Sequence, residues 1–322
     1  MRRRTFLTGL GGAIAVWPLV AGAQPGKVRT ILWVSTEAQP DPFIDGFRES
    51  MRARGYIEGQ DLAFTLRYAP GNPGALRAML PELLALPADL IVSSGPAIIA
   101  TSAVTAKPVL FAISSDPVVL GIAESLARPG RNFTGITFMS LDVAQKRVEI
   151  LKELMPHLQT LAVLSNTTHP GERLEYDATK RAAEALSLRL VYAPFASGVD
   201  IDAALGHVRN SRPDAMLAFP GGATRVHKVK IAEFARAHGL PSMFGSREHC
   251  EVGGLASYGA NQRAAYVRLA AYADRLLRGE KPGDLPVEQP TMFELVLNGK
   301  TARALGFEIP PSLLARADEV IE

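Results

Sequence analysis

Leu90-Ile91-Val92-Ser93-Ser94-Gly95-Pro96 and, after a helix's length, Val109-Leu110-Phe111-Ala112-Ile113-Ser114-Ser115-Asp116-Pro117 decide the fold. Each is a short apolar run with no polar alternation, so both faces of the strand must be covered. Each ends in small hydroxyl residues and then a proline suited to the first helical position, the signature of a strand handing over to a helix start. Two such units in succession predict a parallel sheet with helices on both faces.

The rhythm extends outward in both directions. Upstream lie strand 28–35, helix 41–55, strand 62–69 and helix 73–86; downstream come helix 117–127 and strand 133–138. A second series begins with helix 142–155, strand 160–166, helix 171–188 and strand 189–195, and continues through helix 201–211, strand 215–220, helix 226–238 and strand 242–246. Strand 254–259, helix 261–279, an extended segment 282–290, strand 292–298 and helix 300–305 complete the chain. The expected fold is α/β, two doubly wound Rossmann-like lobes with parallel sheets. Residues 28–138 plus 260–291 are expected to form one lobe and 139–259 plus 292–322 the other. Crossings at 139–141, 257–261 and 290–293 would make a three-stranded hinge.

Residues 1–23 read as an export signal, with Arg2-Arg3-Arg4, an apolar core too short to span a bilayer, and Ala21-Gly22-Ala23 before the cut. Arg3-Arg4-Thr5-Phe6-Leu7 resembles a twin-arginine signal; an ordinary secretory signal is the alternative. The full chain carries 35 Lys+Arg against 32 Asp+Glu, and this segment holds three arginines and no acid. What remains is close to neutral, which argues against a nucleic-acid binder. Cys250 is the only cysteine, so no internal disulfide can form and no cysteine stands after the cut to carry a lipid. A soluble, monomeric periplasmic protein is expected.

Open α/β sheets bind ligands beyond the carboxyl ends of their strands. Those ends carry Thr36, Ser93, Ser94, Gly95, Pro96, Ser114, Asp116, Phe138, Asn166, Phe219 and Tyr258, which are the expected ligand-binding positions. Ser94 suits a carboxylate at a helix start, or simply caps its own helix. Asp116 is an N-cap or a partner for a ligand ammonium. Phe138, Phe219 and Tyr258 would sandwich an aromatic ligand from two lobes, or else belong to the core. The six histidines show no metal spacing, His249-Cys250 is a weak pair, and no nucleophile elbow, phosphate loop or dinucleotide fingerprint occurs. No metal, cofactor or catalysis is expected.

Several ordered motifs add a resemblance. Gly55-Tyr56-Ile57-Glu58-Gly59, Ser125 to Gly130, Asn132-Phe133-Thr134-Gly135, Gly253-Gly254-Leu255, Ser257-Tyr258-Gly259, Asp284 to Pro290 and Pro310-Pro311-Ser312-Leu313-Leu314 resemble the ABC-transporter substrate-binding protein family that includes tryptophan- and aromatic-amino-acid-type binders. The resemblance implies a type I periplasmic-binding-protein fold, a small carboxylate-bearing ligand between the lobes, and delivery to an ABC permease. It places ligand-facing positions at Ser93 to Pro96, Ser114 to Asp116, Asn166 and Tyr258. One departure stands out: many relatives carry Asp-Pro where this chain has Phe219-Pro220, which bears on where a ligand ammonium would find an acid. A ligand-presenting sensory protein and an exported enzyme on the same scaffold are the alternatives.

Overall fold

The computed structural model describes residues 27–322 other than 38, 71, 103, 104, 139, 140, 197 and 199. The expected signal at 1–23, and Met139 and Ser140 of the first expected crossing, lie outside the described residues.

The first sheet joins β1 (Arg29–Ser35), β2 (Leu62–Tyr68), β3 (Leu90–Ser94), β4 (Val109–Ile113) and β5 (Phe133–Thr137) in the order β2-β1-β3-β4-β5, all parallel. Alternation along each strand sorts its side chains between two cores. Ile31, Trp33, Leu110 and Ala112 pack toward α1 (Ile44–Ala53) and α10 (Gln262–Leu277). Leu32, Val34, Phe111 and Ile113 pack toward α2 (Pro73–Ala85) and α3 (Ala97–Ser102). Because both faces are buried, the strands needed continuous apolar runs.

The second sheet has seven strands. They are β6 (Thr160–Asn166), β7 (Arg189–Phe195), β8 (Ala215–Ala218), β9 (Ser242–Phe244), β10 (Ala256–Ala260), β11 (Phe293–Asn298) and β12 (Glu319–Ile321), in the order β12-β11-β10-β9-β8-β6-β7. Only the β10–β11 pairing is antiparallel. One face is covered by α4 (Leu141–Leu154) and α5 (Glu172–Ala185), the other by α6 (Ile201–Ser211) and α8 (Lys228–Ala237).

Late in the chain, α10 leaves the second sheet and returns to the first. Its buried residues Tyr266, Leu269, Ala273 and Leu276 join the core with Phe43, Phe47 and Met51. The next segment runs beside β5: Glu288 N–H donates to Gly135 O at 2.9 Å and Thr137 N–H to Glu288 O at 2.9 Å. The chain therefore passes between the sheets at Asn261 and again before β11. Asn261 Oδ1 caps α10 by accepting from Ala264 N at 2.8 Å, and its Nδ2 donates to Glu294 at 3.1 Å.

Several local expectations differ. No helix forms over 117–127: Asp116 Oδ1 caps Val118 N at 2.8 Å, and Gly121 turns the chain with φ +67° after a single turn. The expected helix 226–238 forms as α8, and a separate short helix that was not expected, α7 (Gly222–Val226), precedes it. Strand β12 and the short α9 (Glu248–Glu251) and α12 (Pro311–Leu314) are too brief to leave a periodic signal.

Candidate functional site

The carboxyl ends of β1, β3 and β4 in the first sheet meet those of β6 and β8 in the second, and side chains bond directly across the gap. Arg225, on α7, donates from Nε to Glu37 Oε2 at 2.8 Å. His169, just past β6, stands 2.7 Å from Ser114 Oγ. Gly171 N–H donates to His169 Nδ1 at 3.2 Å, so the ring proton sits on Nε2 and is given to Ser114. The cleft is closed onto two voids of about 20 and 10 Å³.

Sterics allow this approach. Two glycines line the meeting surfaces; a Cβ on Gly95 would lie 3.0 Å from Thr36 Oγ1, and one on Gly222 3.1 Å from the same atom. Gly95 also needs its φ of +63° to turn from β3 into α3. Thr36 itself is 2 % exposed, and its hydroxyl is buried without a hydrogen-bond partner. An orphaned hydroxyl between two lobes marks a place where a polar ligand atom would be welcome.

Arg225 is the electrostatic centre. Beyond Glu37 it reaches Glu248 at 3.5 Å and Gln262 Oε1 at 3.2 Å, and its Cζ lies 5.0 Å from the centre of the Phe43 ring. Phe43 is in turn stacked on Tyr266 at 4.6 Å, and the Tyr266 hydroxyl pairs with Ser94 Oγ at 2.6 Å. Burial alone would lower the Arg225 pKa, but Glu37 and Glu248 outweigh it and raise the value, so the guanidinium stays charged. Burial pulls His169 down to about 4, so the imidazole is neutral at pH 7. Asp41 is raised by burial and is occupied by Trp33 Nε1 at 3.0 Å and Phe43 N at 2.9 Å.

Of the positions expected from sequence, Thr36, Ser94, Gly95, Pro96, Ser114, Phe138 and Asn166 line the two voids. Four others are placed elsewhere. Ser93 points to the opposite face from Ser94, where Thr101 Oγ1 stands 3.4 Å from it. Asp116 caps the turn beyond β4. Phe219 is 3 % exposed and belongs to the second lobe's core. Tyr258 packs against that core with its ring 6.3 Å from Phe293. The rings that line the voids are Phe138 and Tyr266, with Phe43 stacked on Tyr266.

Sequence reasoning did not single out Glu37, His169, Arg225, Gln262 or Tyr266. Glu37 stands two residues past β1 and His169 three past β6, so the strand-end rule could have found them. Arg225 needed Gly221-Gly222 to be recognised as a helix start, and Gln262 and Tyr266 reach the cleft only because α10 folds back. Among the described residues, no three His, Cys, Asp or Glu side chains are grouped to hold a metal ion. No described helix is long and apolar enough to cross a membrane.

Comparison with known proteins agrees with this architecture. A curated tyrosine-binding protein of Clostridioides difficile is 22 % identical over 267 residues, covering 82 % of this chain and 76 % of that one. The crystal structure of a conserved domain protein from Vibrio cholerae superposes with a TM-score of 0.84 at 26 % identity, covering 91 % of this chain and all of that one. An ABC domain from Streptococcus pneumonia in complex with L-Trp gives 0.82 at 26 % identity, covering 90 % of this chain and all of that one. The two-lobed fold is that of type I periplasmic binding proteins. The model for ABC transporter substrate binding proteins matches residues 27–321, and the chain belongs to that family.

Proposed function

We propose that this protein is the periplasmic receptor of an ABC importer and takes an aromatic L-amino acid between two lobes, 28–138 plus 260–291 and 139–259 plus 292–322. The observation that carries the reading is the cleft itself. Hydroxyls of Thr36, Ser94 and Ser114 and the Asn166 amide converge there from both sheets, beside the rings of Phe43, Phe138 and Tyr266. Hydroxyls and amides suit a carboxylate, and the rings suit an aromatic side chain. A similar structure holds L-Trp and a similar curated protein is a tyrosine-binding protein, which point the same way. No bond is broken; the receptor selects, closes and hands its cargo to a permease. Residues 1–23 direct export and are removed.

Beyond residue 23 the chain contains one tryptophan, Trp33, 5.8 Å from Tyr266. Its fluorescence is a built-in reporter of the cleft. Titration of residues 24–322 with L-tyrosine or L-phenylalanine is expected to change Trp33 emission saturably, with calorimetry extending the series to L-tryptophan. No heat and no emission change with any of the three would overturn the reading.

A further inference from the structure

We propose that Glu37 is the residue that accepts the ligand's ammonium group, and that Arg225 is a tethered stand-in for that ammonium in the closed molecule. The inference rests on the amino-acid reading of the cleft and names the residue that makes the site require an amino acid.

Three observations carry it. First, Arg225 belongs to the second lobe, yet it fills a slot built by the first: the Glu37 carboxylate at 2.8 Å, the Gln262 amide oxygen at 3.2 Å and the Phe43 ring face at 5.0 Å. A carboxylate, a neutral acceptor and an aromatic face are what a compact organic cation needs when it leaves water. Second, the voids of about 20 and 10 Å³ hold at most a water or two, against the roughly 300 Å³ at the small end of ligand pockets. A ligand can enter only by moving a side chain that bridges the lobes. Third, Arg225 has somewhere to go. Glu248, on its own lobe, already lies 3.5 Å from it. When the lobes part and an ammonium takes Glu37, the guanidinium keeps a carboxylate partner and no buried charge is left alone.

The other acids do not fit the role. Asp41 is committed to Trp33 and to the Phe43 backbone, and β8 is followed by buried Phe219 rather than an acid. The consequence is selection by charge. A zwitterion restores the pair with Glu37, whereas the same ring and carboxylate without the amine leave Glu37 facing the ligand unpaired.

The test compares L-phenylalanine with 3-phenylpropionate, its deaminated analogue, by titration calorimetry on wild type, Glu37→Gln, Glu37→Asp and Arg225→Ala, each checked for folding by circular dichroism and Tm. Wild type is expected to prefer phenylalanine by about 100-fold. Glu37→Gln should cut that preference to within about tenfold by weakening phenylalanine alone, and Glu37→Asp should retain part of it. Arg225→Ala should keep the preference and bind phenylalanine at least as tightly as wild type. An unchanged ratio in Glu37→Gln overturns the assignment and leaves the proposed function standing. So does loss of both ligands in Arg225→Ala, since Arg225 would then hold the ligand carboxylate. Wild type that binds none of the aromatic amino acids overturns both.

Discussion

Gly135 sits in the middle of β5 with no room for a side chain. A Cβ there would lie 2.0 Å from the Phe111 carbonyl oxygen and 2.7 Å from the Phe111 nitrogen, both backbone atoms of the neighbouring strand. Neither can rotate away, so Gly135→Ala should cost about 3 kcal/mol or more and lower the Tm sharply in thermal unfolding. A second residue-scale prediction concerns His249, buried with its ring stacked on Phe244 at 4.5 Å. Burial, reinforced by Arg225, holds its pKa down at about 4, against an ordinary 6.5. The unfolded chain then binds the extra proton first as pH falls. Stability is fully present above pH 6.5 and is lost on acidification toward pH 4. Denaturant melts across that window should show a decline that is shallower in His249→Gln; an identical slope would assign the decline to other groups. At this scale the candidate site was half legible. Ser94 and Ser114 could be read from strand ends, but the facing of Ser93 against Ser94 depends on pleat register. The burial of Phe219 depends on which core its strand joins.

Helix α10 is the element on which the first lobe depends most. It lies about 200 residues downstream of α1, yet Leu269 is fully buried in the core that also holds Trp33, Phe47 and Met51. Leu269→Ala should cost about 2–5 kcal/mol. The loss should be local. Amides of β1, β3 and α1 should exchange hydrogen faster while those of β6 and β8 keep their protection, because the second sheet has its own cores. Equal acceleration in both sheets would show that the lobes unfold as one unit. Strands of the parallel sheets were readable because burial on both faces demands unbroken apolar runs, as in Leu90–Ser94 and Val109–Ile113. The 117–127 segment misled because Pro117 and Asp116 make a sound helix start. Exposed Val118 and Val119 and then left-handed Gly121 give that start neither an apolar stripe nor a continuation. The return of α10 to the first lobe had only its position in the chain to announce it.

At the scale of the whole molecule, the two sheets are joined at Asn261 and before β11 and held together at the cleft by Arg225–Glu37 and His169–Ser114. The second contact makes closure sensitive to pH. His169 is 8 % exposed, with Nε2–H given to Ser114 and Nδ1 accepting from Gly171 N–H. A second proton must go to Nδ1, where it would face another donor. Burial has already lowered the pKa to about 4, whereas in parted lobes the ring returns toward 6.5. The open form therefore binds the proton first, and closure is favoured above pH 6.5 and weakened as pH falls toward 4. From those two values the penalty on closure at pH 5 is about 2 kcal/mol, enough to shift a two-state balance by more than tenfold. Small-angle scattering without added ligand should give a radius of gyration of about 19 Å at pH 7.5 for a closed chain of this length. The radius should rise at pH 5 while far-ultraviolet circular dichroism holds constant. His169→Asn cannot titrate and should lose the change between the two pH values, whatever its radius at pH 7.5. If His169→Asn still expands on acidification, the switch lies elsewhere in the cleft. If wild type keeps one radius throughout, closure does not depend on the protonation of His169.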